Sequence, residues 1–196
     1  SMRLKYAVIT SVTRDDLVDG GASFFAKTVK TVQEKSPELK IEVLIPDFKG
    51  NEDALKTVVQ SGPCVINHNL EAPQSLYSSL NRMPSNYIRS LNVLKQAKQM
   101  GAYTKSGIMI GLGENEQNIM QTLEDLREVS CDLLTIGQYL QASKSNLPVC
   151  HYYHLNEFKQ LKNKALKMGF KKVESGPLVR SSYRAHELYT SLMKEH

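Results

Sequence analysis

Short apolar runs alternate with longer amphipathic stretches along most of the chain, and this alternation restricts the possible folds more than any other feature. The apolar runs predict buried strands over residues 6–10, 41–45, 64–68, 106–110 and 133–136, with a shorter strand around Val173. The stretches between them predict helices over residues 21–34, 51–60, 86–100, 116–129 and 156–168. Near-continuous apolar strands that alternate with helices are typical of a parallel sheet covered by helices.

Two α/β architectures are compatible with this alternation, a doubly wound open sheet and a (β/α) barrel. The loops that follow the strands are rich in glycine, asparagine and aspartate. Such loops at the carboxyl ends of strands favour a barrel-type arrangement with function at that rim. The length of 196 residues predicts one domain over the whole chain.

Composition excludes several classes of partner. The chain is 41% hydrophobic and 23% charged, which is ordinary for a globular domain, and no apolar run is long enough to span a bilayer. The net charge of +5 is spread among acidic residues, apart from a basic cluster over residues 157–172. That cluster is either a solvated helix face or a dock for an acidic protein. Nucleic-acid binders gather their basic residues on one face, so we expect neither nucleic acid nor a membrane as a partner.

The three cysteines show no pattern typical of a metal site. Cys64, Cys131 and Cys150 are separated by 67 and 19 positions (131 − 64 and 150 − 131), which matches no compact ligand spacing. An odd number of cysteines without a secretion signal predicts free thiols in a reducing compartment. Cys64 and Cys131 each stand beside apolar strand residues, so we expect both to be buried and inert.

Polar or glycine-rich segments follow several of the predicted strands. Asp19, Gly20 and Gly21 open the first helix, where bare backbone amides either face a ligand or form a plain turn. Asn69 and Glu71 end the third strand, at the edge where α/β folds place ligands, although a strand that dips into solvent has the same pattern. His68, directly before Asn69, is equally compatible with a structural role.

The most glycine-rich strand ends in Gly107-Ile108-Met109-Ile110-Gly111-Leu112-Gly113-Glu114. Its glycine spacing matches neither dinucleotide-binding nor phosphate-loop patterns, which makes a phosphate site weakly supported. A plain buried strand followed by a glycine turn remains the alternative. Near the end of the chain, the run Arg180-Ser181-Ser182-Tyr183 is either a tail capped by hydroxyl groups or a functional segment.

Taken in order, these segments resemble the lipoyl synthases, which are radical S-adenosylmethionine (SAM) enzymes. The resemblance runs from Leu4 to about Tyr189. The matching segments are ITSVTRDDLVDGGA, IPDFKG, NHNLEA, TKSGIMIGLGE, GQYLQ and GPLVRSSYRA. The resemblance implies a partial (β/α) barrel of the radical SAM type over residues 4–172, followed by a tail over residues 173–196.

The resemblance also implies a set of SAM-binding residues. They are Asp19, Gly20, Gly21, Asn69, Glu71, Gly107, Met109, Gly111, Glu114, Gln138 and Tyr139. Within this set, Glu114 is expected to fix the turn between the fourth strand and the next helix. The loop that begins with Gln138 and Tyr139 is expected to form one wall of the adenine site. Two positions depart from these patterns. Ala22 stands where the general radical SAM motif has an acidic residue, as is usual in lipoyl synthases. Ala142 stands where the lipoyl synthase pattern has a proline.

Lipoyl synthases insert two sulfur atoms into an octanoyl chain on a carrier protein, using SAM and two [4Fe–4S] clusters. The resemblance places Ser182 on the auxiliary cluster, with Ser181 as the fallback; a serine oxygen is a weaker iron ligand than a thiolate. The implied partners are an octanoylated lipoyl domain or a glycine-cleavage H-type carrier, and a reductant such as ferredoxin or flavodoxin. The implied compartment is the bacterial cytoplasm, or a mitochondrion or plastid.

The chain departs from the family in one decisive respect. The motifs CxxxxCxxxxxC and CxxxCxxC, which hold the two clusters, are absent from the 196 residues, and we expect them upstream of Ser1. The resemblance therefore assigns no catalytic residue here, and we expect the isolated chain to be inactive. Two alternatives remain, a non-catalytic module that binds SAM or a lipoyl domain, and an unrelated α/β phosphate-binding enzyme that uses the loop at Gly113.

Overall fold

Strands and helices alternate in the predicted order. A computed structural model describes residues 4–194; the two ends of the predicted domain, residues 1–3 and 195–196, lie outside the described residues. The elements are β1 (Tyr6–Thr10), α1 (Ala22–Lys35), β2 (Lys40–Leu44), α2 (Glu52–Gln60), β3 (Val65–Asn67), α3 (Pro84–Gln99), β4 (Thr104–Ile110), α4 (Glu116–Glu128), β5 (Leu133–Gln138), α5 (Leu155–Lys167), β6 (Lys172–Gly176) and α6 (Ala185–Met193). Short 3-10 turns lie at Phe48–Gly50 and Gln74–Leu76.

The strands form one sheet in which every neighbouring pair is parallel. Within residues 4–194 the order is β1-β2-β3-β4-β5-β6, so each strand pairs with the next strand in the chain. A doubly wound sheet reverses its strand order at a switch point, whereas a barrel wall adds its strands sequentially. The sequential order confirms the predicted α/β fold, a partial (β/α) barrel.

Helices α1 to α5 cover one face of this sheet with their apolar sides. In α4, Ile119, Leu123 and Leu126 follow the spacing of one helical face, and each is at most 1% exposed. The helix begins where Asn115 and Asn118 each accept a hydrogen bond from the other's backbone amide, at 2.8 and 3.1 Å. No helix among the described residues has the length and the apolar run required to cross a membrane.

The opposite face of the sheet, called here the inner face, contains a buried ion pair. Strand alternation directs Glu42 and Lys105 to this face, because their neighbours in the strands pack beneath the covering helices. The Lys105 ammonium donates to the Glu42 carboxylate at 3.0 and 3.3 Å, and both side chains are at most 1% exposed. Asn67 and Tyr6 donate to the same carboxylate, each at 2.8 Å. Burial, and then the Glu42 charge, raise the pKa of Tyr6, so its hydroxyl group remains a donor.

The end of the chain also lies on the inner face. We assigned no helix to the tail over residues 173–196, and the structure corrects this, because α6 forms there. Leu192 of α6 is fully buried and packs with Val65 and Leu133, the first residues of β3 and β5. The Tyr6 ring packs against His186 in the first turn of the same helix, with ring centroids 5.8 Å apart. Helix α6 thus covers the amino-terminal half of the inner face.

The buried ion pair leads to a prediction about stability. Replacing Lys105 by methionine leaves the Glu42 carboxylate buried without its cation, and we expect a loss of roughly 3–5 kcal/mol in the free energy of unfolding. The matched control is Lys159→Met on the exposed side of α5, with an expected change within about 0.5 kcal/mol. Urea unfolding followed by circular dichroism measures both. Equal stability of the two variants would contradict the assigned role of the pair.

Candidate functional site

Most of the predicted site residues lie at the carboxyl edge of the sheet, where the parallel strands end together. The segments after β1, β3, β4 and β5 all reach this edge, as does the tail after β6. We call the tail segment between β6 and α6, residues 177–184, the strap. The strap crosses the carboxyl edge before α6 turns down along the inner face.

Asn69 connects three of the predicted segments. Its side-chain amide donates to the Ser181 hydroxyl at 2.6 Å and to the Glu71 carboxylate at 3.3 Å. Glu71 is joined to β4 by two backbone hydrogen bonds, from its own amide to Gly107 at 3.0 Å and from the Met109 amide to its carbonyl at 2.8 Å. The side-chain oxygen of Asn69 is buried and has no hydrogen-bond partner among the described residues. An unpartnered buried acceptor at this edge is available to a ligand donor.

Two glycines allow this close packing. A Cβ atom at Gly107 would lie 2.6 Å from the Thr135 hydroxyl and 2.9 Å from the Asn69 side-chain oxygen. A Cβ atom at Gly137 would run into the Val179 carbonyl of the strap. The strap backbone therefore lies directly on β5. Between the strap and the strands remains a small pocket of about 50 Å³, which Asn69, Glu71 and Met109 help to line.

A larger cleft of about 330 Å³ lies beside this pocket, over the ends of β1, β2 and β3. Its walls are mostly polar and include Thr10, Arg82 and Asp47. The Asp47 carboxylate pairs with the Arg89 guanidinium at 3.0 Å. The cleft and the small pocket share two lining residues, Asn69 and Glu71.

His68 has a structural role within the cleft wall. Its Nδ1 lies 2.8 Å from the Ile45 carbonyl, and its Nε2 lies 2.8 Å from the Ser90 hydroxyl. A carbonyl oxygen only accepts, so Nδ1 carries the proton and Nε2 accepts from Ser90. Complete burial lowers the pKa of His68, which keeps the ring neutral. Both ring nitrogens are satisfied within the protein.

The first predicted segment, Asp19 to Gly21, lines neither of the two cavities beside Asn69. The Asp19 carboxylate accepts hydrogen bonds from the Gly21 and Ser23 amides at 2.9 and 2.8 Å. Hydrogen bonding by Ser23, followed by that of Gly21, holds the pKa of Asp19 below its usual value. Gly20 and Gly21 have φ values of +61° and +89°, which explains the glycines. The chain's own carboxylate thus occupies the amides expected to face a ligand, and ligand contact here stays a prediction.

Glu114 fixes the turn between β4 and α4, as expected. Its carboxylate accepts from the Gly111 and Leu112 amides at 2.6 and 2.9 Å and from the Tyr153 hydroxyl at 2.9 Å. Gly111 and Gly113 adopt φ values of +105° and +108°, which other residues rarely adopt. Glu114 acts on the turn, and the turn shapes the carboxyl edge.

Gln138 and Tyr139 hold the loop after β5 in place. The Gln138 amide donates to the Ile110 and His151 carbonyls at 3.2 and 3.0 Å, and its oxygen accepts from the Tyr153 amide at 3.0 Å. The Tyr139 hydroxyl donates to the Leu147 carbonyl at 2.9 Å. Neither side chain lines the small pocket beside Asn69. Their polar atoms are engaged with backbone, so both side chains hold the loop, and their contact with a ligand stays a prediction.

The two tail serines face in different directions. Ser181 is half-buried on the carboxyl edge and meets Asn69, whereas the Ser182 side chain is exposed. Ser181, the fallback of the sequence analysis, is therefore the serine that meets Asn69, and the choice of cluster ligand stays a prediction. Sequence reasoning missed Thr135 and Val179, which also line the small pocket. Thr135 could have been noticed as a polar residue at an inner-face position of an otherwise apolar strand.

The residues described here do not fit an iron–sulfur cluster. Cys64 is half-buried, short of the predicted burial, and lies just before β3 at the amino edge; Cys131 is fully buried before β5, and Cys150 is exposed beside Gly113. No group of three or more His, Cys, Asp or Glu residues within residues 4–194 could hold a metal ion. A nucleoside fits better, because the carboxyl edge offers the unpartnered Asn69 oxygen, the Glu71 carboxylate and strands that approach closely at glycine.

Comparison with known proteins identifies close relatives. Residues 1–126 match the Radical SAM superfamily. The chain is 53% identical over 188 residues to the lipoyl synthase of Rubrobacter xylanophilus and 50% identical over 189 residues to that of Aquifex aeolicus, in each case over 95% of the chain. It spans 58% and 68% of the lengths of these two relatives.

A solved structure shows the same fold at low sequence identity. Methylornithine synthase superposes with a TM-score of 0.63 at 16% identity, covering 86% of this chain and 49% of that protein. At this identity the likeness supports the barrel architecture alone.

Thiol accessibility gives a prediction for this region. Burial raises the pKa of Cys64 to about 11 and that of Cys131 to about 12, and each unit lowers the reactive thiolate fraction about tenfold near neutral pH. We expect a thiol reagent at pH 8 to modify the exposed Cys150 first, Cys64 far more slowly and Cys131 last. Mass spectrometry of timed samples measures the order, with the urea-unfolded chain as the control in which all three react together. Early modification of Cys131 in the folded chain would contradict its burial.

Proposed function

The chain belongs to the lipoyl synthase family within the radical SAM superfamily, and from this membership we propose that the protein inserts sulfur into an octanoyl chain carried on a lipoyl-domain protein. The observation that carries the proposal is 50% identity over 68% of the Aquifex aeolicus lipoyl synthase. Support also comes from Asn69, Glu71, Gly107 and Ser181, which converge on one edge although 112 positions separate the first from the last.

The carboxyl edge supplies two acceptors for the ribose of SAM. When bound with its cluster, SAM supplies the radical that removes hydrogen from an unreactive carbon. The free side-chain oxygen of Asn69 and the carboxylate of Glu71 lie side by side. We assign these two oxygens to the two ribose hydroxyl groups, because both hydroxyls are donors and both oxygens accept.

The glycine-lined strand ends form the proposed floor for the adenine. Gly107, Met109 and Gly111 lie along β4 and its turn, and Glu114 holds that turn in place. Gln138 and Tyr139 fasten the adjoining loop through backbone hydrogen bonds. A rigid wall of this kind excludes water, which a reactive radical requires. Asp19, Gly20 and Gly21 remain proposed contacts for the amino group of SAM.

The tail serines are assigned to the auxiliary iron–sulfur cluster of the proposed enzyme. The resemblance favours Ser182, with Ser181 as the fallback, and Ser181 is the serine that meets Asn69 at the carboxyl edge. Because the cysteines of this chain do not form a ligand set, no step of the reaction is derived through the cluster.

The proposed partners are an octanoylated lipoyl domain or H-type carrier and an electron donor such as ferredoxin or flavodoxin. Within the basic cluster of residues 157–172, Lys162 and Lys164 already pair with Glu174 and Glu116. Lys159 and Lys167 are exposed on the same helix, and they leave a modest positive surface for an acidic carrier.

The activity is tested with the native protein, captured anaerobically from its source by an antibody against this chain. We expect a captured protein incubated with SAM, dithionite and an octanoylated lipoyl domain to add two sulfur atoms to the carrier, as measured by intact mass. The matched control is the same carrier without the octanoyl group. Absence of sulfur addition despite an intact cluster signal in the captured protein would refute the proposed function.

We further infer that the 196 residues alone assemble no cluster, since the three cysteines lie far apart. Anaerobic reconstitution with iron and sulfide should leave less than stoichiometric iron and no reducible cluster signal after desalting. Stoichiometric iron with a reducible signal would contradict this inference. If the captured native protein also lacks clusters but binds a lipoyl domain, the alternative of a non-catalytic binding module replaces the enzyme.

A further inference from the structure

A long loop after β5 exposes several large apolar side chains beside the candidate site. It covers residues 139–154, between β5 and α5, and we call it the rim loop. Leu140, Leu147 and Tyr152 on this loop are 45%, 41% and 65% exposed, and Leu155, which begins α5, is 65% exposed. Single exposed apolar residues are ordinary, but several that gather on one segment mark a contact surface for a partner.

The rim loop has a fixed shape although it contains no helix or strand. The Tyr139 hydroxyl donates to the Leu147 carbonyl at 2.9 Å, which folds the loop back on itself and brings the stretches of Leu140 and Leu147 together. The Cys150 amide donates to the Gly111 carbonyl at 2.8 Å and fastens the returning stretch to the turn after β4. Long irregular loops that are ordered in this way usually carry a function, and a surface that is already ordered loses less entropy when it binds.

The charges of this region have one sign. No Asp or Glu occurs from residue 133 to residue 156, and Lys144 is exposed in the middle of the rim loop. Lys159 lies four residues after Leu155, so the two exposed side chains share one side of α5. The first acid after the loop, Glu157, accepts a hydrogen bond from the His154 amide at 2.8 Å. The exposed surface thus combines apolar side chains with lysines, which suits a partner that is itself acidic.

The rim loop adjoins the strands at which the proposed chemistry takes place. It begins where β5 ends, and the Tyr139 amide donates to the Ile110 carbonyl at the end of β4 at 2.8 Å. These two strand ends form the proposed floor and wall for the adenine. A carrier protein that binds the rim loop would therefore hold its octanoyl-lysine arm at the carboxyl edge.

We propose that the rim loop and the first turns of α5 form the docking surface for the acidic lipoyl domain or H-type carrier that presents the octanoyl chain. This inference rests on the proposed function, because it takes the carrier from there. The four exposed apolar side chains form the centre of the contact, and Lys144 and Lys159 orient the carrier through its acidic residues. Loss of an apolar contact speeds dissociation, whereas reversal of a lysine charge slows association in a salt-dependent way.

Two pairs of matched variants test the docking surface. Leu155→Ser removes an exposed apolar side chain at the start of α5, and its control Leu166→Ser does the same near the end of that helix, where Leu166 is 39% exposed. Lys144→Glu reverses a charge on the rim loop, and its control Lys30→Glu reverses the charge of an exposed lysine on α1. Because all four side chains are exposed, we expect each variant to fold, as checked by circular dichroism.

Surface plasmon resonance measures the binding of each variant to an octanoylated lipoyl domain of acidic net charge. We expect about 5- to 30-fold weaker binding for Leu155→Ser than for Leu166→Ser, as is typical of a truncated apolar contact at the centre of an interface. For Lys144→Glu we expect about 3- to 10-fold slower association than for Lys30→Glu at low salt, and no difference at roughly 0.5 M salt.

A chemical footprint tests the same surface without substitutions. Cys150 is exposed on the rim loop, whereas Cys64 lies at the amino edge. A saturating amount of a cysteine-free octanoylated lipoyl domain should slow the modification of Cys150 by a maleimide and leave that of Cys64 unchanged. Mass spectrometry of timed samples measures both rates, in the 196-residue chain and in the captured native protein.

Each contrary outcome has a distinct meaning. Measurable binding with equal affinities within both pairs of variants would overturn the docking surface and leave the proposed function standing. Protection of Cys150 in the native protein before any carrier is added would also overturn it, because another segment of that protein would then cover the rim loop. Absence of binding by the unmodified chain would overturn the docking surface as well, and sulfur insertion by the captured native protein would then decide the proposed function separately.

Discussion

The inner face of the parallel sheet is the constraint on which the rest of the structure depends. Helices α1 to α5 cover one face, and the other carries Glu42 and Lys105, two charges that must be paired and shielded from water. Their pairing, completed by Asn67 and Tyr6, satisfies the charges. Helix α6 then covers the adjoining apolar surface. Without this cover the sheet would expose the first residues of its central strands.

The same carboxyl-terminal segment completes both the inner face and the functional edge. Helix α6 buries Leu192 at the amino edge, and the strap before it carries Ser181 to Asn69 at the carboxyl edge. Stability and site assembly are therefore linked through one continuous stretch of chain. A change that loosens α6 is transmitted to the position of Ser181, because only eight residues of strap connect β6 to the helix.

Much of the fold follows from local patterns. The apolar runs and their helical spacers predicted the strands to within a few residues, because burial on both faces demands near-continuous apolar strands. Local chemistry also accounts for Glu114, since a carboxylate three residues after a glycine can satisfy the amides of its own turn. The sequence analysis missed helix α6, although Ala185, Leu188 and Leu192 follow the spacing of one helical face. Nine residues are too few for a stable isolated helix, so packing on the inner face decides its formation.

The alternation of apolar and amphipathic segments was enough to predict a parallel sheet covered by helices, and the motifs were enough to point to its carboxyl edge. Which side chains meet there was decided only by the tertiary structure. His68 satisfies both ring nitrogens internally, and Ser181 rather than Ser182 reaches Asn69. These outcomes depend on contacts between residues far apart in the chain, and a local pattern contains no information on how such distant side chains compete for the same partners.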